Sequence, residues 1–178
     1  DVGRIRFEDG RTHYFVVECG AGFDTHVLGL LSRRGPRQLA YIRALLKGLF
    51  TFQGPALDLQ FADAAKPGLR SPRSMVAFAA NGPWTGGGMH IAPGARDDDG
   101  LLDFVTVRDG GPWYNLCRLP KLFNGRLHDD PNVSVARTHS GHRTLTPPMA
   151  VQCDGQVIGR TPIAVDVMHH ALRVPAMP

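Results

Sequence analysis

A mainly β chain, an antiparallel β-sandwich with two packed α-helices, is what the sequence predicts, and three observations predict it. Short stretches of period-two hydrophobicity dominate, glycine turn signals separate them, and only two segments carry a helical stripe. Ile5 and Phe7 alternate with Arg4 and Arg6, and Leu57, Leu59 and Phe61 alternate with Asp58 and Gln60. Val133 and Val135 alternate with Ser134 and Ala136, and Ile163, Val165 and Val167 with Ala164, Asp166 and Met168. Each stretch turns one apolar face inward, as a sandwich strand must. Asp9-Gly10, Gly86-Gly87-Gly88, Asp99-Gly100, Gly110-Gly111 and Asp154-Gly155 supply the turns.

The helical stripes lie at Pro36 to Phe50 (Leu39, Ile42, Leu45, Leu46, Leu49, Phe50) and at Pro112 to Phe123 (Trp113, Leu116, Leu119, Leu122, Phe123). A proline opens the first, where a first turn tolerates it. Pro120 predicts a kink or an early stop in the second. Residues 63–73 and 140–148 read as loops.

With 178 residues, 43% of them apolar, the chain has the size of one domain, 1–178, able to bury its own core. No apolar run approaches the ~20 residues that span a bilayer. Cys19, Cys117 and Cys153 form no metal spacing, so buried free thiols in a reducing compartment are expected. The net charge of +4 comes without a Lys/Arg cluster interleaved with aromatics, which argues against nucleic acid; so mild an excess fits weak attraction to anionic lipid or nucleotide phosphate and equally a role in solubility. The chain starts at Asp1 and shows no signal pattern, so a piece or processed form of a longer protein is expected.

The stretch from Val76 to Val107 carries most information. It reads as a strand, a glycine-rich bend at Gly86, Gly87 and Gly88, a second strand, then Asp97, Asp98 and Asp99 before Gly100 and a third strand. Three glycines allow close backbone approach and offer N–H groups. Three crowded aspartates call for a cation or for solvent; hard divalent ions take such oxygen ligands.

The order Asn81-Gly82, Gly86-Gly87-Gly88, Ile91-Ala92-Pro93, Ala95 and Asp98-Asp99-Gly100-Leu101-Leu102-Asp103 resembles the signature of the C-terminal domain of diacylglycerol kinases and related sphingosine and ceramide kinases. Phe15, Gly22, Asp24 and Val27 match an upstream segment of that family, and Asp154-Gly155 a downstream Asp-Gly-Glu segment. The resemblance implies the lipid-binding half of a two-domain ATP-dependent kinase. Its ATP would be held by an N-terminal domain with a Gly-Gly-Asp-Gly-Thr loop, absent from this chain. It further implies a structural Mg²⁺ on Asp99 with the carbonyls of Arg96 and Leu101, a lipid headgroup near Asp24 and the glycine bend, and a general base in the hairpin of Asp154 and Gln156. Gln156 departs from the family's glutamate, and an amide cannot take up a proton. Asp154 or the N-terminal domain would then serve as base, or activity would be weak. From the residues alone, Asp24 reads equally as a helix N-cap and Asp154-Gly155 as a plain hairpin turn.

The implied partners are a lipid, bound in a groove between the sheets, the chain's own nucleotide-binding domain, a peripheral contact with the inner membrane surface from the cytoplasm and, as an option, a second copy of the chain. A non-catalytic lipid-binding module and the sandwich domain of a nicotinamide-dinucleotide kinase are the rival readings. His169 and His170, placed on a strand, would point to opposite faces and share no metal. His139, Ser140 and His142 lack the third group of a hydrolytic triad.

Overall fold

A computed structural model describes residues 1–31, 37–63 and 65–173. Its strands are β1 (Val2–Phe7), β2 (Thr12–Phe15), β3 (Glu18–Gly22), β4 (Ala56–Phe61), β5 (Leu69–Ser71), β6 (Ser74–Ala80), β7 (Trp84–Thr85), β8 (Met89–His90), β9 (Leu102–Arg108), β10 (Val133–Thr138), β11 (Ser140–Thr146), β12 (Ala150–Cys153), β13 (Gln156–Arg160) and β14 (Ile163–Met168). Three α-helices join them: α1 (Phe23–Leu30), α2 (Arg37–Thr51) and α3 (Pro112–Phe123).

Two six-stranded sheets, ordered β2-β1-β14-β11-β4-β5 and β10-β9-β6-β3-β12-β13, stack face to face, with β7 and β8 pairing apart. Every ladder is antiparallel. Ile5, Phe15, Leu59, Phe104, Leu145, Ile163 and Val165 fill the space between the sheets. Each such side chain contributes roughly 1.5–3 kcal/mol. The second sheet carries a further core on its outer face, where Phe23 and Val27 of α1 and Leu49 of α2 meet Phe78, Val105 and Val107.

The β-sandwich is the predicted one, and it differs from expectation in particular places. Among the described residues there are three α-helices where two were expected: α1 starts without a side-chain cap, from Gly22 at φ 128, and contains Gly29. Those features hide a helix from a reading based on caps and periodicity. The presumed loop at 140–148 is largely β11, whose Gly141, Arg143 and Leu145 are buried, and the stretch at 63–73 contains β5. Arg143 conceals the alternation: it lies wholly buried between the sheets, its Nη1 donating to the Ala77 carbonyl at 2.8 Å. Pro36 lies outside the described residues. Helix α3 runs past Pro120 to Phe123, because the proline falls in its last turn.

The helical stripes are only half covered. Leu49 is buried, but Ile42, Leu46 and Phe50 are exposed, as are Trp113 and Phe123. The rings of Phe50 and Trp113 meet edge to face at 5.5 Å, joining the two helices at the surface. Cys19 and Cys153 sit opposite each other on β3 and β12 and are buried, whereas Cys117 is exposed, contrary to expectation.

Candidate functional site

Strand β3 serves both faces of the second sheet. Cys19 and Ala21 enter the core between the sheets. By the alternation of a strand, Glu18 and Gly20 belong to the opposite face, beneath α1. There a cavity of about 640 Å³ is lined by Glu18, Asp24, Thr85, Gly86, Gln152 and Asp154, with Val27, Met89 and Phe123 among its apolar walls. The groove therefore lies between the second sheet and the helices. The space between the sheets, where it was expected, is filled with side chains. A smaller apolar chamber of about 150 Å³ shares Asp24, Val27, Met89 and Phe123 with it and reaches between α3 and β6.

Glu18 is 6% exposed. Its Oε1 accepts from Thr85 Oγ1 at 2.6 Å and from Gln152 Nε2 at 2.8 Å. Gln152 is fixed in turn, because its Oε1 accepts the Gly155 N–H at 2.8 Å. The second oxygen of Glu18 has no partner among the described residues. Burial pushes the Glu18 carboxyl up to about 7, helped by the negative charge of Asp24; the hydrogen bonds from Thr85 and Gln152 pull the other way.

Asp24 lies in the first turn of α1, whose N-cap is Gly22, so it is not the cap. Both its carboxylate oxygens are shielded and unpartnered among the described residues. Burial raises its pKa; the nearby Thr25 N–H, the Gln152 amide and the buried Arg143 guanidinium oppose the rise. Gly20 makes this placement sterically feasible. A Cβ there would lie 2.8 Å from Asp24 Oδ2 and 2.7 Å from the Phe78 ring.

Asp154 and Gly155 form a two-residue hairpin turn between β12 and β13, with φ of 45 and 83. Asp154 does more than turn the chain. Its Oδ2 accepts the N–H of Val16 at 2.9 Å, and its Oδ1 accepts those of Val17 and Glu18 at 3.0 Å. Gln156 starts β13 exposed to solvent and is not among the lining residues described. Gly86 borders the cavity, and Gly87 and Gly88 complete the same 3-10 turn.

The structure thus brings Asp24, Gly86 and Asp154 together. The acidic turn stands apart from them. There Arg96 pairs with Asp98 at 3.2 Å, and Asp99 Oδ1 accepts the Leu101 N–H at 3.0 Å. The Gly100 N–H donates to Asp1 Oδ2 at 2.7 Å. Nearby, His169 and His170 follow the end of β14 in a turn, with His170 at φ 52 and the rings stacked at 3.6 Å. This corrects the expectation that they face apart: their ligand atoms and that of Asp1 lie within 4.8 Å of one another. Asp1 spends both oxygens on Gly100, His169 and His170.

Glu18, Thr85 and Gln152 were absent from the predicted site. One signal could have marked Glu18: it is one of two glutamates and sits inside the apolar run Phe15–Phe23. A carboxyl there must be buried at a cost.

Comparison with known proteins gives a consistent context for this geometry. A curated diacylglycerol kinase from Mycobacterium tuberculosis is 28% identical over 177 residues, covering 98% of this chain and 56% of the relative. A "Probable lipid kinase YegS-like" from Alcanivorax borkumensis is 27% identical over 169 residues, covering 91% and 54%. This chain therefore spans about half the length of the curated relatives it matches. A crystal structure of a diacylglycerol kinase from Bacillus anthracis has a TM-score of 0.59 at 14% identity, over 94% of this chain and 50% of that one. Another chain solved from the same organism reaches a TM-score of 0.66 at 18% identity, over 94% and 53%. At such identities the structural likeness speaks for the fold alone. The family model described as "YegS C-terminal NAD kinase beta sandwich-like domain" matches residues 17–176, and this chain belongs to that family.

Proposed function

We propose that this domain is the substrate-binding half of an ATP-dependent lipid kinase, which phosphorylates the hydroxyl of diacylglycerol or a related lipid. One observation carries the reading: a cavity with a polar end at Glu18, Asp24, Thr85 and Gln152 that shares walls with an apolar chamber under α3. That is the shape and polarity of an amphiphile, with a hydroxyl headgroup at one end and an acyl chain at the other. The names of the curated relatives agree with it. The nucleotide would be held by an N-terminal domain of the kind those relatives have room for.

The exposed Ile42, Leu46, Phe50, Trp113 and Phe123, with Arg43 and Lys47 exposed on the same helix α2, support a peripheral contact with an anionic bilayer. Phe123 also lines the cavity, so lipid could enter from that side. No described helix is long and apolar enough to cross a membrane.

For Mg²⁺ the turn offers a modest fit. Asp99 keeps one oxygen beyond its bond to Leu101, the carbonyls of Arg96 and Leu101 are close in sequence, and the Arg96 guanidinium cancels one aspartate. Such a set suits a largely hydrated ion. Bound there, Mg²⁺ would supply charge and rigidity to the loop entering β9.

The test is lipid phosphorylation by the full-length protein with ATP, set beside binding of short-chain diacylglycerol to this domain. Binding without phosphorylation would favour the second reading, a non-catalytic lipid-binding module, for which the exposed, amide-bearing Gln156 speaks. Absence of both would refute the lipid reading altogether.

A further inference from the structure

We propose that Glu18 takes the proton from the lipid hydroxyl during phosphoryl transfer, the role that resemblance would give to position 156. The inference rests on the lipid-kinase reading and names the residue that performs its chemistry.

Three observations together favour Glu18. It is oriented: two donors from different elements, Thr85 on β7 and Gln152 on β12, hold Oε1 and so fix the carboxyl at the cavity wall. It is incomplete: Oε2 has no partner among the described residues. A buried acceptor left so costs ~1–3 kcal/mol, which a bound hydroxyl would recover. The two hairpin residues are poorly suited to the role. Asp154 holds three backbone N–H groups, and Gln156 is exposed and cannot accept a proton. Asp24 shares the cavity and also leaves its oxygens without a partner, but among the described residues no donor within hydrogen-bond distance orients it as Thr85 and Gln152 orient Glu18, and its negative charge helps raise Glu18. The Glu18 carboxyl titrating at about 7 suits a base that works near neutrality.

The step balances. The lipid hydroxyl oxygen forms a bond to the terminal phosphorus of a nucleoside triphosphate. The bond from that phosphorus to its bridging oxygen breaks, and the electron pair leaves with the nucleoside diphosphate. The hydroxyl proton passes to Glu18 and from there to solvent.

The experiment follows kcat and KM against pH in the full-length protein, using dioleoylglycerol in mixed micelles with Mg-ATP. Glu18→Gln should lower kcat roughly 10²–10⁴-fold with little change in KM, and should lose the acid limb of the pH profile. Glu18→Asp should restore part of the rate. Thr85→Val should keep the acid limb but move it to higher pH, because the hydroxyl it removes donates to the ionised carboxyl. A folded Glu18→Gln protein with kcat within a few-fold of wild type, or with the acid limb intact, overturns the proposal. Should Glu18→Gln fail to fold, an unmoved limb in Thr85→Val overturns it instead. A wild type that phosphorylates no lipid defeats the parent reading and the proposal together, whereas an active wild type indifferent to Glu18 defeats the proposal alone.

Discussion

The acidic turn at 96–101 and the carboxyl pair at 18 and 24 place the same chemical group in opposite surroundings. In the turn, Asp97 and Asp98 are exposed, and the Arg96 guanidinium holds the Asp98 carboxyl below its ordinary range. Around β3 and α1, burial pushes Glu18 and Asp24 the other way. Three aspartates in a row are conspicuous, yet water, one arginine and local N–H groups answer their charge. One glutamate in an apolar run is inconspicuous, yet its environment alters its chemistry. Local density of charge is therefore a poor guide to perturbed charge; what counts is whether solvent reaches it.

The largest expected effect on stability would break this contrast at its buried side. Folding raises the Glu18 carboxyl from 4.5 to about 7, so the native protein holds that proton more tightly than the unfolded chain. The contribution is fully present below the unfolded value and is lost as pH rises through about 7. Denaturant titrations should show a fall on the order of 3 kcal/mol over that window, and Glu18→Gln should flatten it. A wild type whose stability is level across the window would place Glu18 in contact with water.

A smaller loss is expected at the hairpin. Asp154→Ala removes the acceptor for the N–H groups of Val16, Val17 and Glu18 and should cost about 2 kcal/mol by thermal or denaturant unfolding. Asp98→Ala, which removes only an exposed partner of Arg96, should be nearly silent. Equal losses would erase the distinction between the two regions.

An effect smaller than that at the hairpin concerns ion binding by the turn. If Asp99 with the carbonyls of Arg96 and Leu101 holds Mg²⁺, the ion at ten times its dissociation constant stabilises the fold by about 1.4 kcal/mol, seen as a rise in Tm. Asp99→Ala should abolish the rise and Asp97→Ala should preserve it. Identical rises in wild type and Asp99→Ala would put the ion elsewhere.

Much of the fold was legible because alternation is a direct imprint of a sheet with one buried face, as in β1, β4 and β14; β10 also forms, but as an edge strand that leaves Val135 exposed, contrary to the inward face expected of it. Strand β11 escaped because His142 and Thr144 flank a buried arginine, which leaves Leu145 as its one large apolar residue and no visible alternation. Helix α1 escaped because its eight residues lack a capping side chain. Of the site, Asp24, the glycine bend and Asp154 could be found through motif resemblance. Glu18, Thr85 and Gln152 could not, since three strands distant in sequence bring them together, and Gln152 owes its inward orientation to pairing across β12 with β3.

Strand β3 also bears on how faithfully the chain assembles. Its neighbours Glu18 and Cys19 have opposite destinations, one the cavity and the other the core between the sheets. Threading the strand one residue out of step would send a carboxyl into the core and a thiol into the cavity. The grip of Asp154 on three successive N–H groups is available in the correct alignment and sits at the end of the very strand that β3 pairs with. Asp154 thus ties the start of β3 to the end of β12 in the alignment that carries Glu18 to the cavity, before any ligand arrives to use it.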